Sequence, residues 1–249
     1  MTLLRVQGLS KRFGDLVAVE GVSMDVAAGE LRAVIGPNGA GKTTFFNMIS
    51  GFLPPSAGRV VFDGADITRL APAQRVWRGV ARTFQITEVF PELSTAENLR
   101  IAVEVAAGYR LRPWLPRAGA DEVRARVSEL LEMGNLGPKS EKLVGELSHG
   151  DQRTTEIMMA LALNPRLLLL DEPTAGMGDQ ETYDVTRLIR RLHREKSLAI
   201  VLIEHDMRVV FHLAERIMVL ADGAMLAEGT PEEIARNEAV QEAYLGKAQ

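Results

Sequence analysis

Taken by the spacing of its apolar positions, the chain begins as strand, turns helical in the middle and then alternates. Leu4 and Val6 alternate with Arg5 and Gln7, and Val22, Met24 and Val26 with Ser23 and Asp25, the period-two pattern of half-buried antiparallel strands. Between them Lys11-Arg12-Phe13-Gly14 reads as a turn carrying an aromatic residue. Leu31 to Ile35 is strand-like and Thr43 to Ser50 helix-like, with Gly51 placed to cap that helix and Pro54-Pro55 to stop it. Gly58 to Phe62 predicts another short strand, ended by Asp63-Gly64. The first 65 residues therefore mix a small antiparallel sheet with the opening of a parallel αβ layer.

From Leu93 to Glu146 the period changes to that of a helix, with Val123, Val127, Leu130 and Leu131 at i, i+4, i+7 and i+8. Residues 93–146 are expected to form an inserted helical subdomain, with 1–92 and 147–249 as the core that it interrupts. Alternation then resumes. A helix from Leu147 to about Asn164 precedes the continuous apolar run Leu167 to Leu170, which suits a strand buried on both faces. Val185, Leu188, Ile189 and Leu192 mark an amphipathic helix, Leu198 to Ile203 a second buried strand, and Asp206 the cap of another helix. Arg216 to Leu220 and Met225 to Ala227 pair as a hairpin over Asp222-Gly223, and Thr230-Pro231-Glu232-Glu233 opens a C-terminal helix.

Composition narrows the class. The 249 residues are 46% hydrophobic and 25% charged, ordinary for a globular protein, and no apolar run approaches the roughly 18 residues that cross a bilayer. The start MTLLRVQGLSKRF shows no secretory signal, so a cytoplasmic location is expected, with any membrane contact made through partners. With no cysteine, disulfides and thiolate metal sites are excluded. A net charge of −4 gives no general argument for nucleic-acid binding. The loop Tyr109 to Arg117 carries three arginines, a Trp and a Tyr; it reads as a solvated loop or as a contact with anionic lipid headgroups or a membrane partner.

The stretch Gly36-Pro37-Asn38-Gly39-Ala40-Gly41-Lys42-Thr43 fits G-x-x-x-x-G-K-[ST] between a strand and a helix, the context that a phosphate-binding loop needs. Its glycines allow backbone N–H groups to turn toward phosphate oxygens, and the following helix offers its positive end. Gly36, Pro37, Asn38, Gly39, Ala40, Gly41, Lys42, Thr43 and Thr44 are thus candidate ligands of a nucleoside triphosphate, with Lys42 reaching the β- and γ-phosphates and Thr43 ligating Mg²⁺. Asp171 and Glu172 end the Leu167 to Leu170 strand, and carboxyl ends of parallel strands border the ligand crevice. There Asp171 can hold Mg²⁺ through water and Glu172 can polarise the attacking water. His205 is either a capping or core residue or an imidazole within reach of the γ-phosphate. Gln85 is undetermined by its own sequence context. Phe13 is a core aromatic of the small sheet or a ring that stacks on adenine.

In this order, Phe13, GPNGAGKT, Gln85, Leu147-Ser148-His149-Gly150-Asp151-Gln152, LLLLDEPTAG and His205, the chain resembles the nucleotide-binding subunit of ABC transporters. The resemblance covers essentially the whole chain and implies an α/β fold: a P-loop NTPase (RecA-like) core with a small antiparallel β subdomain and an inserted α-helical subdomain. It implies ATP and Mg²⁺ as cofactors and ATP hydrolysis as the activity. Gln85 would stand at the metal and the reacting centre. In a head-to-tail dimer, Ser148 and Gly150 of one subunit would contact the γ-phosphate held by the other. Within that family Gly79 to Gln85, Phe90 to Ser94, Ile203 to Met207, Ala227 to Pro231 and Ala243 to Gly246 resemble the ATPases of branched-chain amino-acid importers. Expected partners are two membrane-spanning permeases, a second ATPase subunit and, indirectly, a secreted solute-binding protein, with no nucleic acid. Lipopolysaccharide-export ATPases and soluble ABC ATPases such as iron–sulfur assembly factors are the alternatives. Three positions depart from the family pattern: His149 and Asp151 in the LSGGQ-like segment, and Gly178 where members often carry Asp.

Overall fold

In the computed structural model the described residues are 1–83, 89–108 and 117–245. β1 (Thr2–Phe13) and β2 (Leu16–Ala27) form a long antiparallel hairpin. The turn is only Gly14 and Asp15; Phe13 is the last strand residue and pairs with Leu16, so the expected turn over Lys11 to Gly14 begins three residues later. β3 (Leu31–Ile35) leads into α1 (Lys42–Ser50), followed by β4 (Ala57–Phe62), β5 (Ala65–Asp66), α2 (Pro72–Val76) and β6 (Val80–Arg82). The helices α3 (Thr95–Ala106), α4 (Arg117–Met133) and α5 (His149–Ala162) come next, α3 packing on both of the others. The chain then runs through β7 (Leu167–Asp171), α6 (Asp179–Lys196), β8 (Ala199–Ile203), α7 (Met207–Leu213), β9 (Arg216–Ala221), β10 (Ala224–Gly229), α8 (Pro231–Ala235) and α9 (Glu238–Leu245).

Two sheets result, one ordered β2-β1-β4-β5 and one ordered β10-β9-β3-β8-β7-β6. In the second, β3, β6, β7, β8 and β9 are parallel and β10 alone is antiparallel. β8, and β7 up to the Asp171 that ends it, are apolar because both faces are covered. Leu167 and Leu169 pack with Val6, Phe45 and Phe46 on one side; Leu168 and Leu170 pack with Leu99, Ile157 and Ile189 on the other. Each such leucine contributes about 2 kcal/mol of transfer free energy.

The ends of α1 show how local chemistry fixes the site's frame. Gly41 and Gly51 both lie in the left-handed region, at φ 92° and 86°, so the helix is entered and left through glycine. Its last carbonyls need donors. Arg75, 1% exposed, supplies them, donating to Met48 O at 2.7 Å and Ile49 O at 2.5 Å, and also to Leu70 O and Thr68 O. Burial pushes its pKa down to about 10.

Candidate nucleotide site

Parallel order puts the carboxyl ends of β3, β7 and β8 on one edge, and the expected chemistry gathers there. A cleft of about 580 Å³ is lined by residues 38–44, by Leu16, Val17 and Ala18 of the β1–β2 hairpin, and by Glu172, His205, Asp222 and Gly223. Glycine at 36 and 41 is enforced by close backbone: a Cβ on Gly36 would lie 2.1 Å from Leu220 O, and one on Gly41 2.5 Å from Ala18 O. Lys42 is buried and donates to Gly36 O at 2.8 Å and Pro37 O at 3.0 Å. Burial lowers its pKa, opposed by the charges of Glu172 and Asp171. Thr43 is exposed to the cleft and Thr44 half-buried beside it. From the far end of the chain, Tyr244 of α9 lies against Gly36, and burial raises its pKa to about 12.

Asp171 is buried, and its Oδ2 accepts from Arg82 Nη2 at 2.8 Å. Arg82 also donates to Asn47 Oδ1 at 2.6 Å and Ser50 Oγ at 2.7 Å, tying β6 to α1 and β7. The main-chain carbonyl of Asp171 accepts from Arg153 of α5, itself paired with Glu156 at 2.5 Å. Glu172 has φ 46°, a left-handed conformation uncommon for a residue with a side chain. Its Oε1 lies 2.7 Å from His205 Nε2. The imidazole therefore meets the carboxylate as well as the cleft.

Glu204, which the sequence marked only through resemblance, organises this corner. Buried at 3% exposure, it accepts from Thr174 N at 3.0 Å, Thr174 Oγ1 at 2.5 Å, His205 N at 2.8 Å and Asp206 N at 3.3 Å. Asp206 then caps α7 through Arg208 N, as its position predicted. Glu204→Ala strands these buried donors and is expected to cost about 2–3 kcal/mol, read as a lower urea midpoint at unchanged slope. An unchanged midpoint would show that the two loops hold their shape without it.

Phe13 stands at the tip of the hairpin whose next residues line the cleft, half exposed, with Lys11 Nζ 5.1 Å from its ring centroid. It is not a core aromatic. Ser148 and Gly150 lie outside this chain's own cleft: Ser148 is the N-cap of α5 and accepts from Asp151 N. Of the family departures, Asp151 is ion-paired with Lys139 at 2.5 Å, and Gly178 is the N-cap of α6 and provides no side-chain cap. Gln85 lies outside the described residues, as do residues 109–116 of the basic loop.

A glycine-lined phosphate loop on β3, facing acids at the ends of neighbouring parallel strands, defines a P-loop nucleoside triphosphatase. An ABC transporter family model matches residues 19–175, and a second, for branched-chain amino acid ATP-binding cassette transporters, matches 224–249. The chain is 40% identical to the high-affinity branched-chain amino acid transport ATP-binding proteins BraF of Pseudomonas aeruginosa and LivG of Escherichia coli, covering 99% of this chain and 98% of each relative. It is 34% identical, over the same shares, to the lipopolysaccharide export system ATP-binding protein LptB of Escherichia coli. Among solved structures, the ADP conformation of MJ1267, an ATP-binding cassette of an ABC transporter, superimposes with a TM-score of 0.86 at 30% identity over 99% of this chain and 100% of that one. A dimeric cassette, MJ0796 bound to ADP and Pi, gives 0.77 at 26% identity over 92% and 99%. The protein belongs to the ABC transporter ATP-binding family, and its activity is ATP hydrolysis.

Proposed function

We propose that this chain powers the uptake of branched-chain or related amino acids, as one of two ATPase subunits beneath separate membrane-spanning permeases. The observation that carries the importer reading is the match of residues 224–249 to the branched-chain-specific model, on top of the full-length similarity to BraF and LivG. No helix among the described residues is long and apolar enough to cross a membrane, which fits peripheral attachment at the inner face through permeases. Residues 93–146, with Gln85, are the segment we assign to that contact.

Within the subunit, residues 36–44 bind the triphosphate, Phe13 stacks on the base, Glu172 draws the proton of the attacking water and His205 orients it. Ser148 and Gly150 serve the partner's nucleotide, as a helix N-terminus suits an anion. The residues fit a Mg²⁺ ion that arrives with the nucleotide. Thr43 is exposed to the cleft, Asp171 has one oxygen held by Arg82, and no group of three acidic or histidine side chains converges among the described residues. Mg²⁺ keeps its waters and needs few protein ligands besides phosphate. Thr43, Gln85 and, through water, Asp171 would hold it, and there it would neutralise charge on the phosphoryl group.

Affinity purification from mildly solubilised native membranes, followed by mass spectrometry, tests the assignment. Two multi-spanning permeases, a second ATPase and a secreted binding protein that takes up branched-chain amino acids are expected. Recovery with lipopolysaccharide-transport components, or with soluble proteins alone, would overturn it.

A further inference from the structure

We infer that Glu181 is a resident anion for the first turn of α5: in the free subunit it occupies the Gly150 N–H meant for the partner's γ-phosphate, and it must release that donor for the dimer to close. The inference rests on the reading that Ser148 and Gly150 serve the nucleotide of the other subunit. Glu181 is a positioning residue, since it withdraws from that donor when the nucleotide arrives.

Glu181 comes from α6, and its Oε1 accepts from Gly150 N at 3.2 Å. Glycine at 150 is what lets the two approach: an added Cβ would stand 3.1 Å from Glu181 Cβ and 3.4 Å from its Oε1. The nearby Ser148 hydroxyl, then the N–H groups of Gly150 and Gly178 and the charge of His149, hold its pKa below its ordinary value, while the Ser148 proton itself is directed to Asp151 Oδ2 at 3.2 Å.

The corner contains a second acid, Asp151, whose Oδ2 lies 3.2 Å from Ser148 Oγ, but Lys139 neutralises it at 2.5 Å. Asp179 belongs to the same first turn of α6 and faces Arg208 at 3.4 Å. Glu181 is thus the acid that reaches across from another helix. Gly178, the N-cap of α6, brings no side-chain oxygen, and Glu181 stands in the first turn of that helix.

A phosphate oxygen arriving at Gly150 needs the N–H that Glu181 accepts from. That N–H has a single proton to give, and two anions on one donor repel. Closure is therefore an exchange: the carboxylate leaves the Gly150 N–H, and the phosphate takes its place. The subunit binds its own ATP without this step, because Glu181 is not part of the cleft that holds Lys42.

The test uses the full-length chain carrying Glu172→Gln to stop hydrolysis. Glu181→Gln keeps an oxygen for capping and removes the charge; Glu181→Ala removes both. Dimerisation is followed by light scattering as ATP is raised, and binding to the single subunit by fluorescent-nucleotide titration. Both variants are expected to dimerise at roughly three- to tenfold lower ATP, because a charged acceptor is replaced by a weaker one or by none. Single-subunit affinity stays the same. A merely structural cap predicts a lower melting temperature for Ala and no shift in the ATP requirement of either, and that result would overturn the inference, as would a higher requirement. Ser148→Arg in the same background separates the two claims. If it still dimerises with ATP, the assignment of Ser148 to the partner's nucleotide fails; if it does not, while Glu181→Gln shows no shift, only the role of Glu181 fails.

Discussion

Glu172→Gln is expected to reduce ATP turnover by about 10²–10⁴-fold while leaving nucleotide binding intact, and to leave an ATP-bound dimer stable enough to isolate by size exclusion. The substitution is nearly isosteric, so the left-handed turn at φ 46° and the 2.7 Å contact with His205 Nε2 can persist, the amide oxygen accepting where the carboxylate did. What disappears is the basicity needed to take a proton from water. Structural damage would instead appear as a lowered melting temperature and weaker binding. Turnover within threefold of the parent would remove Glu172 as the base and leave His205 as the next group to examine, since it lines the same cleft.

Lys42→Ala should act on the other side of the reaction, raising the dissociation constant for ATP by about 30- to 150-fold, the equivalent of about 2–3 kcal/mol for a charge-assisted contact. The amine is already committed to Gly36 O and Pro37 O, so binding trades two carbonyl acceptors for phosphate oxygens at little reorganisation. Folding stability is expected to change far less than affinity. Burial disfavours the charged amine, as its lowered pKa shows, and removing it relieves that cost while it strands the two carbonyls. Equilibrium titration with a fluorescent ATP analogue, beside a thermal melt, separates the effects. Unchanged affinity would exclude Lys42 from the phosphate site.

The two residues also show what kind of information the sequence carried openly. Lys42 belongs to a local motif whose glycines are set by the backbone's approach to phosphate and whose Lys and Thr are set by their side chains, and the flanking strand and helix could be recognised from periodicity. Asp171 and Glu172 were legible because four leucines fixed the strand and so fixed where it ends. The supports of these groups were not legible. Arg82 meets Asp171 from 89 residues away, and Glu204 meets Thr174 from 30, so each reads in isolation as an ordinary surface charge. Only strand order brings them together. The left-handed turn at Glu172 had no local signal either, since Asp-Glu-Pro contains no glycine. Phe13 was displaced from the expected turn because the hairpin closes over Gly14 and Asp15, shorter than the run of polar residues suggested. Gly178 and Asp151, two of the departures from the family pattern, gained a physical meaning only when Glu181 and Lys139 were placed beside them.

The leucines of β7 give the fold a property that bears on its descent. Because odd and even positions feed separate apolar clusters, the parallel sheet acts as a septum, with the phosphate-loop helix on one side and α3, α5 and α6 on the other. Substitutions without shared partners combine nearly additively. Lineages could therefore remodel α3 and α4 to suit different permeases while the phosphate loop, and α5 tied through Arg153 to Asp171, stayed under constraint.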